Sequence, residues 1–151
     1  MSDIDIKMRR NTSGIFDFEI ENDQIVMDDG FDTVIYNSLL TDRRAAPEQI
    51  GDPIHRRGWA GDLTDERNRK AGSFLYLLEQ ERLTQSTLNR AVDYVEKALQ
   101  HLIDDEHASD ISVNASIVPG RGMQLNVSAS IYAENGLISD KNITIWLATG
   151  I

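Results

Sequence analysis

The chain contains no cysteine in its 151 residues. Disulfides, thiolate zinc sites, iron–sulfur clusters and a thiol nucleophile are therefore excluded. The same absence fits assembly in a reducing cytoplasm. Prolines number only three, and no apolar run approaches the roughly 18 residues of a membrane span. The N-terminal stretch "MSDIDIKMRRNTSG" lacks the apolar core of a secretion signal, so neither signal-directed export nor membrane insertion is expected. Positive charge is the scarcer sign, with 15 Lys+Arg against 25 Asp+Glu and a net charge of −10. Broad binding to nucleic acid or to an anionic membrane needs a basic field and is not expected. The hydrophobic fraction of 40% and charged fraction of 26% suit a soluble globular protein, with one domain over residues 1–151.

What is present reads as an α+β fold. Ile15, Phe16, Phe18 and Ile20 surround Asp17 and Glu19, and Asn22-Asp23 makes a turn before residues 24–27, which predicts a short N-terminal hairpin. Asp28-Asp29-Gly30 supplies helix-start chemistry, and Phe31, Val34, Ile35 and Leu39 keep helical spacing up to Leu40. Helical spacing resumes at "GSFLYLLEQERL". A long amphipathic helix follows, with Leu88, Ala91, Val92, Val95, Ala98, Leu99, Leu102 and Ile103 in one stripe. Thr84 or Ser86 caps its start, and Arg90, Asp93, Glu96, Lys97 and Asp104 form a solvated face. The period then switches to two. Ile111, Val113, Ala115 and Ile117 alternate with polar residues, as do Met123, Leu125, Val127, Ala129 and Ile131, around a turn at "PGRG". "NITIWLA" adds a third strand, so the central helices are expected to pack on a C-terminal antiparallel sheet with one polar face.

No motif for chemistry emerges. His101 and His107 stand six apart on different helix faces without HExxH context, and "DDEH" at residues 104–107 reads as a solvated helix end. GxSxG, GxxxxGK[ST] and GxGxxG are absent. No carboxylate pair is singled out for glycoside hydrolysis. Neither a metal nor a cofactor is expected.

The informative segment is the aperiodic loop over residues 41–71. It holds Pro47, Pro53, Gly51, Gly58 and Gly61, and seven of the chain's basic residues fall between positions 41 and 70. Loops of that length in a compact domain are commonly functional or wrapped on a partner. Two readings of its Arg pairs stand side by side. Arg43, Arg44, Arg56 and Arg57 either staple the loop to Asp42, Glu48, Asp52 and Asp62, or form bidentate contacts to a neighbouring subunit. Trp59, between Gly58 and Ala60-Gly61, is expected to plug a pocket, in its own core or in a neighbour's.

The run "DDGFDTVIYNSLLTDRRA" (28–45), followed by "RRGWAGD" (56–62) and "GSFLYLLEQERLTQSTLNRAVDYVEKALQHLIDD" (72–105), resembles the Mu-type small baseplate wedge proteins of contractile-tailed phages. That family is similar in turn to the lysozyme-named small wedge subunits of other myophages and of contractile injection systems. One departure is Ala60, where the family often carries a second aromatic. The resemblance implies a structural subunit of the virion tail baseplate. Six copies would surround the hub, spike or tube, join the larger wedge proteins and nucleate the first sheath ring. On that reading Arg43, Arg44, Arg56, Arg57, Trp59 and Asp62 contact other subunits, and Ile143, Thr144, Ile145, Trp146 and Leu147 form an edge for strand addition. The alternative is a peptidoglycan hydrolase acting in tail penetration.

Overall fold

The computed structural model describes residues 5–6, 8–10, 16–25, 27–28, 30–66, 70–132 and 138–147. It divides into two compact units, Met1–Asn37 and Ser38–Ile151. The first unit contains six short strands: β1 (Asp5–Ile6), β2 (Met8–Arg10), β3 (Phe16–Phe18), β4 (Ile20–Glu21), β5 (Gln24–Ile25) and β6 (Met27–Asp28). They form three antiparallel ladders, β1 with β6, β2 with β3 and β4 with β5. The expected turn is there: Asn22 and Asp23 take φ of 50° and 60°, and Glu21 faces Gln24 across it. Two successive residues at positive φ make the turn type whose twist matches a two-residue hairpin, and Asn and Asp tolerate it best after glycine. Asp29, assigned a role at the helix start, lies outside the described residues, and Asp28 is the last residue of β6. Helix α1 (Phe31–Leu40) follows, with Phe31, Ile35 and Leu39 buried and Val34 exposed.

In the second unit, α2 (Gln85–Asp104) is the long amphipathic helix. Thr84 caps it, its hydroxyl oxygen accepting from the Thr87 amide at 3.3 Å. Leu88, Ala91, Val95, Ala98, Leu99 and Leu102 are buried, while Val92 and Ile103 at the stripe's margins are half-buried. Asp93, Glu96, Lys97 and Asp104 are exposed, as their spacing predicts. The helix packs against β7 (Ala108–Val118), the first strand of an antiparallel sheet completed by β8 (Gly122–Tyr132) and β9 (Ile138–Leu147). β8 is central. Its Met123, Leu125, Val127 and Ala129 are at most 2% exposed, and they align with Ile117, Ala115, Val113 and Ile111 of β7. On the other side Leu125 faces Ile145 and Val127 faces Ile143. β7 and β9 both start earlier than alternation alone suggests, because Ser109, Ser139 and Lys141 are polar where continued alternation would place apolar residues.

The opposite face of the sheet is polar and cross-linked by side chains. The Ser128 hydroxyl donates to Asn142 Oδ1 at 2.7 Å, Ser130 to Asp140 Oδ1 at 2.9 Å, and Thr144 to Asn126 Oδ1 at 2.9 Å. Such cross-strand pairs hold the register between β8 and β9.

One expected element is different. Residues 72–83 do not form an α-helix; only Leu75–Leu78 makes a 3₁₀ turn. Phe74, Leu75, Tyr76 and Leu78 are all buried, so this run has no solvent face of the kind an amphipathic helix needs. Its conformation is set by tertiary hydrogen bonds, which override helix propensity.

Leu99 is fully buried on α2. Leu99→Ala is expected to lower unfolding stability by about 2–5 kcal/mol in urea denaturation. Glu96→Ala, on the exposed face, should stay within about 0.5 kcal/mol of the parent.

Candidate subunit-contact loop

The loop over residues 41–71 is anchored where α1 ends. The Ser73 hydroxyl donates to the Leu39 carbonyl at 2.6 Å. The Ser73 amide donates to the Thr41 carbonyl, and the Arg43 amide to the Ser73 carbonyl, both at 2.9 Å, giving a parallel bridge between Asp42 and Ser73. Glycine is required beside this bridge. Gly72 has φ of 93°, and a Cβ there would collide with the Thr41 carbonyl.

Tyr76 pins the loop's two halves. Its ring is buried, and its hydroxyl lies 2.8 Å from the Arg43 carbonyl and 3.0 Å from the Arg56 carbonyl. A phenol carries one proton, so the two carbonyls share it. Burial pushes the phenol's pKa up. The Ala45 amide donates to the same Arg56 carbonyl at 2.9 Å, and Ala45 clusters with Phe74 and Tyr76.

The four arginines have four different environments. Arg57 lies with its guanidinium 4.6 Å over the Tyr76 ring, donates to Asp42 Oδ2 at 2.9 Å and reaches Glu79 Oε2 at 3.4 Å. The bond to Asp42 is the chief cause of its raised pKa. Its backbone φ of 53° is left-handed, a conformation that costs a non-glycine residue about 1–3 kcal/mol. Arg56 donates to the carbonyls of Ile50 at 2.8 Å and Gly51 at 2.9 Å. Arg44 donates to the Arg57 carbonyl at 3.0 Å. Arg43 is half-buried, 5.6 Å from the centre of the Phe74 ring; burial lowers its pKa and the nearby Asp62 opposes that shift.

Of the four carboxylates expected to staple these arginines, Asp42 alone forms a direct ion pair with one of them among the described residues. Asp52 instead accepts from the Ile54 amide at 3.0 Å and pairs with His55 at 2.8 Å. Asp62 is buried and its Oδ1 accepts from the Ala71 amide at 2.9 Å, which closes the far end of the loop. Trp59 is 57% exposed, so it does not plug a pocket in its own core. Its side chain folds back over Gly61 instead.

The other predicted contact region is β9. Ile143 and Ile145 are buried, Trp146 and Leu147 half-buried and Thr144 exposed. Arg121 stacks over Trp146 at 4.7 Å. β9 pairs with β8 along one side, and among the described residues no strand pairs with its other side. A shallow cleft of about 320 Å³ lies between the Pro53–Arg56 and Leu75–Leu78 turns, lined by Ile50, Ile54, His55, Leu77 and Glu79 among others. Among the described residues no three His, Asp or Glu side chains gather as metal ligands, and no helix is long and apolar enough to cross a membrane.

Gly72, Ser73 and Tyr76 escape sequence reasoning, although each leaves a trace. A Tyr and a Ser inside the apolar run "GSFLYLL" must find hydrogen-bond partners once buried. Tyr76→Phe removes the shared proton and deprives the Arg43 carbonyl of its donor, while the Arg56 carbonyl keeps the Ala45 amide. It is expected to cost about 1–3 kcal/mol in urea unfolding. Unchanged stability would show that the hydroxyl does not hold the loop.

The profile of a family described as "Phage protein GP46" matches residues 31–137. The chain is 39% identical over 109 residues to "Baseplate protein gp46" of Escherichia phage Mu, covering 69% of this chain and 72% of that protein. It is 32% identical over 104 residues to "Mu-like prophage FluMu protein gp46" of Haemophilus influenzae, covering 69% and 70%.

Proposed function

This chain belongs to the phage protein GP46 family, of the Mu baseplate type, and from that premise we propose that it is a structural subunit of a phage tail baseplate. The observation that carries the proposal is its likeness to the Mu baseplate protein. The family match takes in the whole Arg-rich loop, its clasp at residues 72–76 and α2. Neither relative's description names an enzyme. No observation favours the hydrolase alternative.

In its finer form the proposal places the subunit in the baseplate wedge of a contractile tail. Six copies surround the hub, spike or tube, with the larger wedge proteins and the first sheath ring as partners. Assembly takes place in the host cytoplasm and needs no metal or cofactor. The residue assignments follow the same division. Arg43, Arg44, Arg56, Arg57, Trp59 and Asp62 belong to the loop that meets neighbouring subunits. Ile143 to Leu147 offer the side of β9 turned away from β8 to an incoming sheath strand.

Deleting the gene is expected to leave lysates without assembled tails, with recovery on complementation. Intact tails from the deletion would contradict a structural role. Thr144→Pro, which removes one β9 amide, is expected to give tube-bearing baseplates without sheath. Normal contractile tails from a folded Thr144→Pro protein would remove the sheath-nucleating part and leave the baseplate role standing.

A further inference from the structure

We propose that the N-terminal hairpin docks, through a face formed by Phe18, Ile20 and Ile25, onto an apolar patch rimmed by Lys and Arg on a different protein subunit of the baseplate. The inference rests on the baseplate reading above and names the chemistry of one contact within it. Phe18 is 50% exposed, Ile20 62% and Ile25 47%, whereas Glu19 is half-buried. Successive residues of an extended chain point to opposite sides, so Phe18 and Ile20 turn the same way, outward. Ile25 is the cross-strand partner of Ile20, which sets the two side chains next to each other on that face. The apolar residues thus lie outward and the acid is the more covered, the reverse of a half-buried strand. Single exposed apolar side chains are ordinary, but three adjoining ones on one face form a patch.

The register that creates this face is set locally. The Asn22-Asp23 turn opposes Ile20 to Ile25, and β2 pairs with β3 as far as Phe18. Ile20, Glu21, Gln24 and Ile25 are all exposed, so the β4–β5 ladder has no core of its own. A two-stranded ladder is marginal alone and gains most from a surface that covers its apolar side.

Charge identifies the occupant. Between residues 11 and 37 the chain has seven Asp+Glu and no Lys or Arg. With Lys7, Arg9 and Arg10 included, the first unit still carries nine acidic residues against three basic ones. Arg9 is the cross-strand partner of Asp17, away from the hairpin tip. At the tip, Glu21 and Asp23 are exposed and form no ion pair among the described residues. Nucleic acid and anionic lipid share the sign of this unit and are repelled, whereas a protein surface with Lys or Arg complements it. A second copy of this chain does not supply that surface. Two-fold pairing of the hairpin would set Glu21 and Asp23 against their own kind. The second unit is itself acidic, with 16 Asp+Glu against 12 Lys+Arg, and its Arg-rich loop over residues 41–71 has six against seven.

The test places p-benzoylphenylalanine, a photo-reactive analogue of phenylalanine, at Phe18 in phage producing complete tails. Purified tails are irradiated and the cross-linked peptides identified. The expected product joins this chain to one other baseplate protein, at a segment of apolar residues flanked by Lys or Arg. Tails that contain the substituted chain but give no product, or only a product within the chain or with another copy of it, overturn the inference while leaving the baseplate reading intact. Tails that lack the unsubstituted chain overturn both. In parallel, Ile20→Ser, and Glu21→Gln combined with Asp23→Asn, are each co-expressed with the unsubstituted chain and their share in tails is measured. Both are expected to shift the melting temperature of the free protein by less than about 2 °C. Incorporation should fall about tenfold for Ile20→Ser and about threefold for the charge-neutral pair. Undiminished incorporation of either variant, or a larger drop in melting temperature for Ile20→Ser, overturns the inference.

Discussion

A single phenolic hydroxyl, shared between the carbonyls of Arg43 and Arg56, holds together two parts of the chain that have no helix or strand to order them. Around it the segment 72–76 acts as a clasp. Gly72 allows the close approach to Thr41, Ser73 ties back to Leu39, and Tyr76 closes the loop over Ala45. Backbone groups in an irregular segment must find partners somewhere, and here much of that demand is met by a few side chains. The arginines complete the arrangement. Arg56 serves two carbonyls of residues 50–51, and Arg57 seals the exposed side of the Tyr76 ring with Asp42 and Glu79.

This division of labour answers why an acidic chain concentrates arginine in one loop. A guanidinium carries several donors in a fixed fork, so one residue can satisfy two carbonyls that a lysine's point charge would serve less well. Arg44 and Arg56 spend their donors on carbonyls. Arg57 spends both on carboxylates. The same loop is thus stapled inside, with Ile54, Trp59 and Leu63 facing solvent. The staple reading of the Arg pairs holds for Arg57 with Asp42.

Periodic elements were legible in the sequence, and elements set by tertiary contact were not. α2 reads directly from its stripe, since burial of Leu88, Val95, Leu99 and Leu102 follows from spacing alone. The β7–β8 hairpin reads from alternation and its Gly-rich turn. The strands before residue 14 went unread, although Ile4, Ile6 and Met8 alternate with charged residues. Ladders of two or three residue pairs are too short for periodicity to register. The run at 74–78 misleads for a different reason. Consecutive apolar residues look helical when their burial comes from all sides, and no local rule reveals that Tyr76 reaches across the loop. Within the candidate site, the Arg pairs and Trp59 stand out by composition. Ile54 and Leu63 do not, because only exposure distinguishes them from core residues.

The account requires the loop to be shaped before it meets any partner. Native-state hydrogen exchange on the free protein measures this amide by amide. The amides of Arg43, Ala45 and Ser73, which bond to Ser73, Arg56 and Thr41, should be protected at least a hundredfold over the amide of Gly51. Tyr76→Phe should erase much of the difference. If the amides of Arg43, Ala45 and Ser73 exchange as fast as an unstructured chain in the free protein, the loop is not held by its clasp, and the account is wrong at its centre.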